Sequence, residues 1–207
     1  WKVSAHTRGL KVKTFQPAIS LDTAVLLTLN QSAYARSSRL NTIEWAIEVA
    51  ASLAAHLIDR RQSVGLITNG LDPLAAGSQV AFDADSGRLM LTDAPGAGAE
   101  AAPLSPTIPP QTGRPHLIKI LERLARIEAQ TTPPLPAWIG PACLSLSWGV
   151  TILVVTPRGD EATCNSLHRL VRQGFNPVLI AVEPDGRFGL VRERARRLGF
   201  AAYNVAG

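Results

Sequence analysis

Four short runs of this chain are apolar at consecutive positions rather than at alternate ones: 24–29, 63–68, 150–155 and 177–182. A strand buried on one face alternates, whereas a strand buried on both faces does not. These runs are therefore predicted as adjacent inner strands of a mainly parallel sheet covered by helices on both sides. The stretches between them have helical spacing. Residues 39–60 place Ile43, Ala46, Ile47, Ala50, Leu53, Ala54 and Leu57 on one face, with Asn41 as the expected N-cap and Glu44 three residues later. Residues 116–129 form an amphipathic helix introduced by Pro115, 161–174 a helix closed by Gly174, and 190–199 a short basic helix. Residues 9–15 alternate apolar and basic side chains as a strand does, 79–92 read as a hairpin turning at 83–87, and 200–205 read as a final edge strand. Two stretches rich in proline and small residues, 93–115 and 131–148, are expected as irregular loops.

The composition agrees with one α/β domain. The 207 residues are 46% hydrophobic and 18% charged, enough for a sizeable core and too apolar for a disordered chain. No apolar run is long enough to cross a membrane, and none resembles a signal peptide. The chain opens at Trp1 rather than methionine, so it is expected to be a fragment. Cys143 and Cys164 do not make a disulfide framework, and no set of cysteines and histidines gives either one metal-ligand spacing, which fits a reducing compartment.

Charge changes the picture locally. The net charge is +5, with Lys2, Arg8, Lys11 and Lys13 unopposed near the start and Arg187, Arg192, Arg194, Arg196 and Arg197 opposed by Glu193 alone near the end. Such patches suit nucleic acid, an anionic membrane surface or an acidic partner. A solvated helix face and a lysine-guarded edge strand account for them more simply. Aromatic residues are not interleaved with them, which argues against a platform for single-stranded nucleic acid.

No catalytic constellation emerges. Residues 96–101, GAGAEA, match a dinucleotide fingerprint formally, but Pro103 and Pro106 stand where a helix must begin. The tripeptide RGD at 158–160 and the sequon NQS at 30–32 read as chance. His6, His56, His116 and His168 fall on different elements, and Glu44 and Glu48 share a helix face as surface residues. The one suggestive place is the end of the first buried run, where Leu29 gives way to Asn30-Gln31-Ser32, because ligands in α/β sheets bind at the carboxyl ends of strands.

The opening WKVSAHTRGLKVKTF resembles a bacterial family known only as domain of unknown function fifty-eight, whose members carry a tryptophan-lysine-x-serine-alanine stretch and then a short basic strand. Trp1, Lys2, Ser4 and Ala5 match that stretch, with His6 where arginine is usual, and Leu10, Val12, Lys13 and Phe15 match the strand. Downstream, ASLAAHLIDRRQSVGLITNG resembles the family's helix-then-strand segment and GRPHLIKILERLARIE its later helix.

The resemblance implies a von Willebrand factor A-like domain: a doubly wound, mainly parallel sheet over residues 21–207, preceded at 1–20 by a basic strand left from an upstream region. It implies a membrane-anchored parent whose upstream helices precede this cytoplasmic-side fragment, so that Lys2, Arg8, Lys11 and Lys13 would face anionic headgroups. It also implies a non-enzymatic protein-interaction module working with a MoxR-type AAA+ ATPase in assembly or maturation of other proteins, with no nucleic acid involved. Many A-like domains hold Mg²⁺ on Asp-x-Ser-x-Ser after the first strand, completed by a threonine and a second aspartate. Here those positions fall on Asn30, Ser32, Tyr34, Thr112 and the Thr156-Pro157 loop, with Asp160 further along. Both carboxylates are missing from their places, so the expectation is a metal-free rim without a cofactor, since Mg²⁺ relies on carboxylate charge. The alternatives are a divalent-metal-dependent ligand binder using Ser32, Thr112 and Asp160, and an unrecognised α/β enzyme. Ligand contact is expected around 30–38, 69–77, 108–114 and 156–161.

Overall fold

Consecutive apolar side chains leave neither side of a strand suited to water, and Thr23–Leu27 is buried at all five positions. The computed structural model describes residues 22–74, 79–83, 88–92, 106–183 and 185–205. The expected basic strand at 9–15, with Lys2, Arg8, Lys11 and Lys13, lies outside them, as do the hairpin turn and most of the loop at 93–105. The elements run β1 (Thr23–Leu27), α1 (Arg39–Asp59), β2 (Val64–Thr68), β3 (Gln79–Asp83), β4 (Arg88–Thr92), β5 (Ile108–Gln111), α2 (Arg114–Arg126), α3 (Leu135–Ala142), β6 (Thr151–Thr156), α4 (Glu161–Arg172), β7 (Asn176–Ala181), α5 (Phe188–Arg197) and β8 (Ala201–Asn204).

Six of the strands form one sheet in the order β5-β2-β1-β6-β7-β8, and β3 and β4 pair as a separate antiparallel hairpin. All neighbours in the large sheet are parallel except β5, which runs antiparallel to β2. With the hairpin set aside, the order is that of a doubly wound sheet, reversing direction between β1 and β6. The four predicted inner strands are β2, β1, β6 and β7, adjacent as expected. This is the mainly parallel, Rossmann-like fold that the A-like resemblance implies.

Alternate residues of each inner strand enter different cores. Ala24, Leu26, Ile152, Val154 and Leu179 pack with Trp138 and Ile139 of α3, Cys164, Leu167 and Leu170 of α4, and Ala195 of α5. Val25, Leu27, Leu66, Val155 and Ile180 pack with Ile43, Ala46, Val49, Ala50, Ala54 and Ile58 of α1 and with Ile120 and Leu124 of α2. The two-sided burial read from the apolar runs is thus covered by three helices on one face and two on the other.

Three local expectations are corrected. The stretch 131–148 holds the helix α3, with Pro136 in its first turn, where a missing N–H costs least, and Pro141 inside the helix one residue before its last. The predicted loop before α2 holds β5, whose Pro109 and Pro110 are tolerated because it is an edge strand. Helix α1 is entered at Ser38, not Asn41. Asn41 lies within the helix, and the Ser38 hydroxyl donates to Glu183 at 2.9 Å instead of capping.

Candidate functional site

Parallel pairing brings the carboxyl ends of β1, β2, β6 and β7 to one edge of the sheet, with the reversal of strand order between β1 and β6. The chain leaves β1 through Thr28, Leu29 and Asn30, all buried, and makes a single 3-10 turn at Gln31–Ala33. Asn30 caps that turn. Its Oδ1 accepts from Ser32 N–H at 3.2 Å, Ser32 Oγ at 2.8 Å and Thr132 N–H at 3.4 Å. At 3% exposure Asn30 is also closed to glycan attachment.

The structure brings some of the expected residues together and separates others. Asn30, Ser32 and Tyr34 share the β1–α1 loop. Ser32 is exposed, while Tyr34 is buried and donates its hydroxyl to the Thr28 carbonyl at 2.6 Å. Asp160 is exposed at the end of β6, where its Oδ1 accepts from Thr163 N–H at 2.7 Å and caps α4. Pro157 is buried and contributes only its carbonyl, which accepts from Glu183 N–H at 2.9 Å. Thr112 does not join them. It follows Gln111, which pairs with the first residue of β2, and so lies at the opposite edge of the sheet. The end of the expected contact region 108–114 is carried away with it, because β5 runs antiparallel, while Ile108 pairs with Leu66 in the middle of β2.

Residues 127–132 take that place. Leaving α2, the chain threads between the extensions of β1 and β2. Gln31 N–H donates to the Gln130 carbonyl at 3.0 Å, and Leu71 and Glu128 exchange backbone hydrogen bonds of 2.9 and 2.8 Å. Thr132 is buried there, and its Oγ1 accepts from Asn69 Nδ2 at 2.6 Å while Asn69 Oδ1 accepts from Leu29 N–H at 2.7 Å. Thr132, not Thr112, is the threonine that the path of the chain brings beside Asn30. No spacing rule links it to Asn30 across a hundred residues. Asn69, in the turn after β2, was at least within an expected contact region.

The charges of this edge are held by partners. Glu183, just beyond β7, accepts from Ala35 N–H at 3.2 Å and from Ser38 Oγ, and pairs with Arg158 at 3.5 Å. Burial, and then the Glu183 carboxylate, push the Tyr34 hydroxyl well above the usual tyrosine range. Asp72, 2% exposed, pairs with Arg123 at 2.7 Å and Arg126 at 3.1 Å, and the Arg126 hydrogen bond holds its carboxyl below the usual range.

Tested against Mg²⁺, these side chains do not fit. The ion needs hard oxygens with free lone pairs and carboxylate charge. Asn30 Oδ1 already accepts three hydrogen bonds, Tyr34 is buried with its hydroxyl donated to the Thr28 carbonyl, and Asp160 Oδ1 caps α4. Among the described residues no group of three His, Cys, Asp or Glu side chains is placed to share a metal. His116 bonds the Val64 carbonyl at 2.7 Å and His168 the Leu198 carbonyl at 2.9 Å, on separate elements. Cys143 and Cys164 are buried free thiols, and burial pushes Cys143 up to about 12.

Beside the Asn30 turn lies an open cleft of about 670 Å³, lined by Arg36, Leu40, Ile43, Ile47, Ile127 and Glu128 among others. Leu40 is 76% exposed at its edge, and Leu74, also 76% exposed, follows the Asp72 turn.

No family model and no curated protein matches the chain. Among solved structures it is similar to the crystal structure of a conserved hypothetical protein, BatB, from Bacteroides thetaiotaomicron, at 13% identity and a TM-score of 0.48, over 90% of this chain and 91% of that one. A likeness at that level assigns no ligand and no chemistry. Among the described residues no helix is long and apolar enough to cross a membrane.

Proposed function

We propose that this chain is a non-enzymatic protein-interaction module that meets its partner at the edge formed by the carboxyl ends of β1, β2, β6 and β7. The observation that carries the reading is the pairing of a self-satisfied polar turn at Asn30 with an open cleft carrying exposed Leu40. A turn whose donors and acceptors are spent internally is rigid and offers little to a small substrate. An adjoining cleft that combines Leu40, Ile43, Ile47 and Ile127 with two arginines and two glutamates suits a protein surface.

The resemblance of the N-terminal stretch to domain of unknown function fifty-eight supplies the kind of partner. It points to a MoxR-type AAA+ ATPase acting in assembly or maturation of other proteins, with a membrane-anchored parent chain. The test is binding of the purified chain to a purified MoxR-type AAA+ ATPase, measured by biolayer interferometry. Leu40→Asp combined with Arg36→Glu is expected to weaken binding about tenfold or more, and Thr112→Ala at the opposite edge to leave it unchanged. An ATPase that does not bind, or binds the double variant equally well, overturns the proposal.

A further inference from the structure

We infer that the edge of β8, which no described strand covers, accepts an extended, acidic segment of a partner protein as an added strand. The sheet has two edges. At one, β5 carries Pro109 and Pro110, which have no N–H to offer, so half of its four residues cannot donate. The other edge, β8, has no proline: its residues are Ala201, Ala202, Tyr203 and Asn204. Val205 N–H bonds inward to the Ala181 carbonyl. Alternation along the strand then turns the backbone groups of Ala202 and Asn204 toward the open side. An incoming strand would find there the donors and acceptors it needs.

The surroundings choose the occupant. A groove of about 450 Å³ follows this edge, lined by Arg192, Arg196, Gly199, Phe200 and the strand from Ala201 to Tyr203, with no carboxylate among the lining residues. Arg196 shares Glu193 with Arg197, and Arg192 has no ion pair among the described residues. Tyr203 is 60% exposed and gives an added strand an aromatic surface to cover. A second copy of the chain paired at this edge would set these arginines against their own kind. The chain's own basic stretch at 9–15, with Lys11 and Lys13, meets the same repulsion. Glutamate or aspartate at alternate positions of a strand reaches both guanidinium groups, and arginine binds carboxylates through paired hydrogen bonds. This surface is separate from the edge assigned above to the ATPase.

The test uses the full chain and two short labelled peptides, one alternating glutamate with valine and one alternating lysine with valine, followed by fluorescence anisotropy and by amide shifts in NMR spectra. The glutamate peptide is expected to bind about tenfold tighter than the lysine peptide or better, with the largest shifts at Ala202 and Asn204. Arg192→Glu with Arg196→Glu should reverse the preference. Both side chains are exposed, so the variant should keep the melting temperature of the parent. If it does not fold, Arg192→Gln with Arg196→Gln is expected to lose about threefold in affinity for the glutamate peptide. Failure of the glutamate peptide to bind at millimolar concentration, equal affinities for the two peptides, shifts confined to residues 31–38, or tighter binding of a single-stranded oligonucleotide at the same residues each overturns the inference.

Discussion

Tyr34 donates its hydroxyl to the Thr28 carbonyl at 2.6 Å, and so closes the loop after β1 over the strand from which it leaves. Both partners are buried. Tyr34→Phe strands the carbonyl without a donor and is expected to cost about 1–2 kcal/mol in urea denaturation. Tyr34→Ser also leaves a void and should cost about 3–5 kcal/mol. Because burial raises the Tyr34 pKa in the folded state, its hydroxyl stays neutral where that of the unfolded chain ionises. Its contribution is therefore complete below the ordinary tyrosine pKa of about 10 and falls as pH rises beyond it. A phenolate absorbance titration should show Tyr34 silent until the protein unfolds.

Asp72 is expected to matter more than its place in a loop suggests. Its side chain is 1% exposed and meets two arginines of α2, so it fastens the turn after β2 to that helix. Asp72→Asn removes the charge but leaves both arginines partly able to regain water, and should cost about 3 kcal/mol, the low end for a broken buried pair. The folded pKa of Asp72 is depressed, chiefly by the Arg126 hydrogen bond. Its stabilisation is present above the ordinary aspartate pKa and is lost as pH falls through the lower folded value. Denaturation midpoints compared between neutral and acidic pH should show the parent losing more stability than Asp72→Asn does.

Gly65 tests the antiparallel edge. A Cβ at this position would lie 2.7 Å from the Ile108 carbonyl oxygen and 2.9 Å from the Pro110 nitrogen, both backbone atoms that move only if β5 moves. Gly65→Ala is expected to destabilise by about 1–3 kcal/mol. Hydrogen exchange should speed up at Gln111 while β1, β6 and β7 keep their protection.

The contrast between β5 and the inner strands explains how far the sequence could be read. Val25, Leu66, Val154 and Leu179 are buried on a sheet covered from both sides, so their strands had to be apolar throughout, and that pattern is visible in any window. Ile108 to Gln111 makes one row of hydrogen bonds and has one half-buried face, at Ile108 and Pro110, so nothing in its composition marks it as a strand. Helix α3 hides for a related reason: it is too short and too apolar to show a helical period, and Pro141 inside it reads as a helix breaker. At the candidate site, Asn30 was legible because it ends an apolar run, and Tyr34 only through the family resemblance, which sets it where a serine is usual. Thr132 was not, since only the path of the chain between β1 and β2 brings it to Asn30. The opposite orientation of β5 carries Thr112 away for the same topological reason.

Thr132, not Thr112, stands beside Asn30. The parent chain is expected to bind Mg²⁺ and Mn²⁺ more weakly than about millimolar in calorimetry, because a neutral amide with three hydrogen bonds cannot replace a carboxylate. Asn30→Asp, Tyr34→Ser and Pro157→Asp together restore two carboxylates and one small hydroxyl at the ends of β1 and β6. The triple variant should be less stable than the parent without metal, since it loses the Tyr34 ring, and should regain melting temperature on addition of either ion as binding favours the folded state. Adding Thr132→Ala to it should weaken the ion, whereas adding Thr112→Ala should leave affinity unchanged, because Thr112 stands at the far edge of the sheet. Parent binding tighter than about millimolar would overturn the claim that this edge is unsuited to a dication. A triple variant that folds and ignores both ions would remove residues 30, 34 and 157 from any metal frame, and would leave the strand order, which rests on separate pairings, where it is.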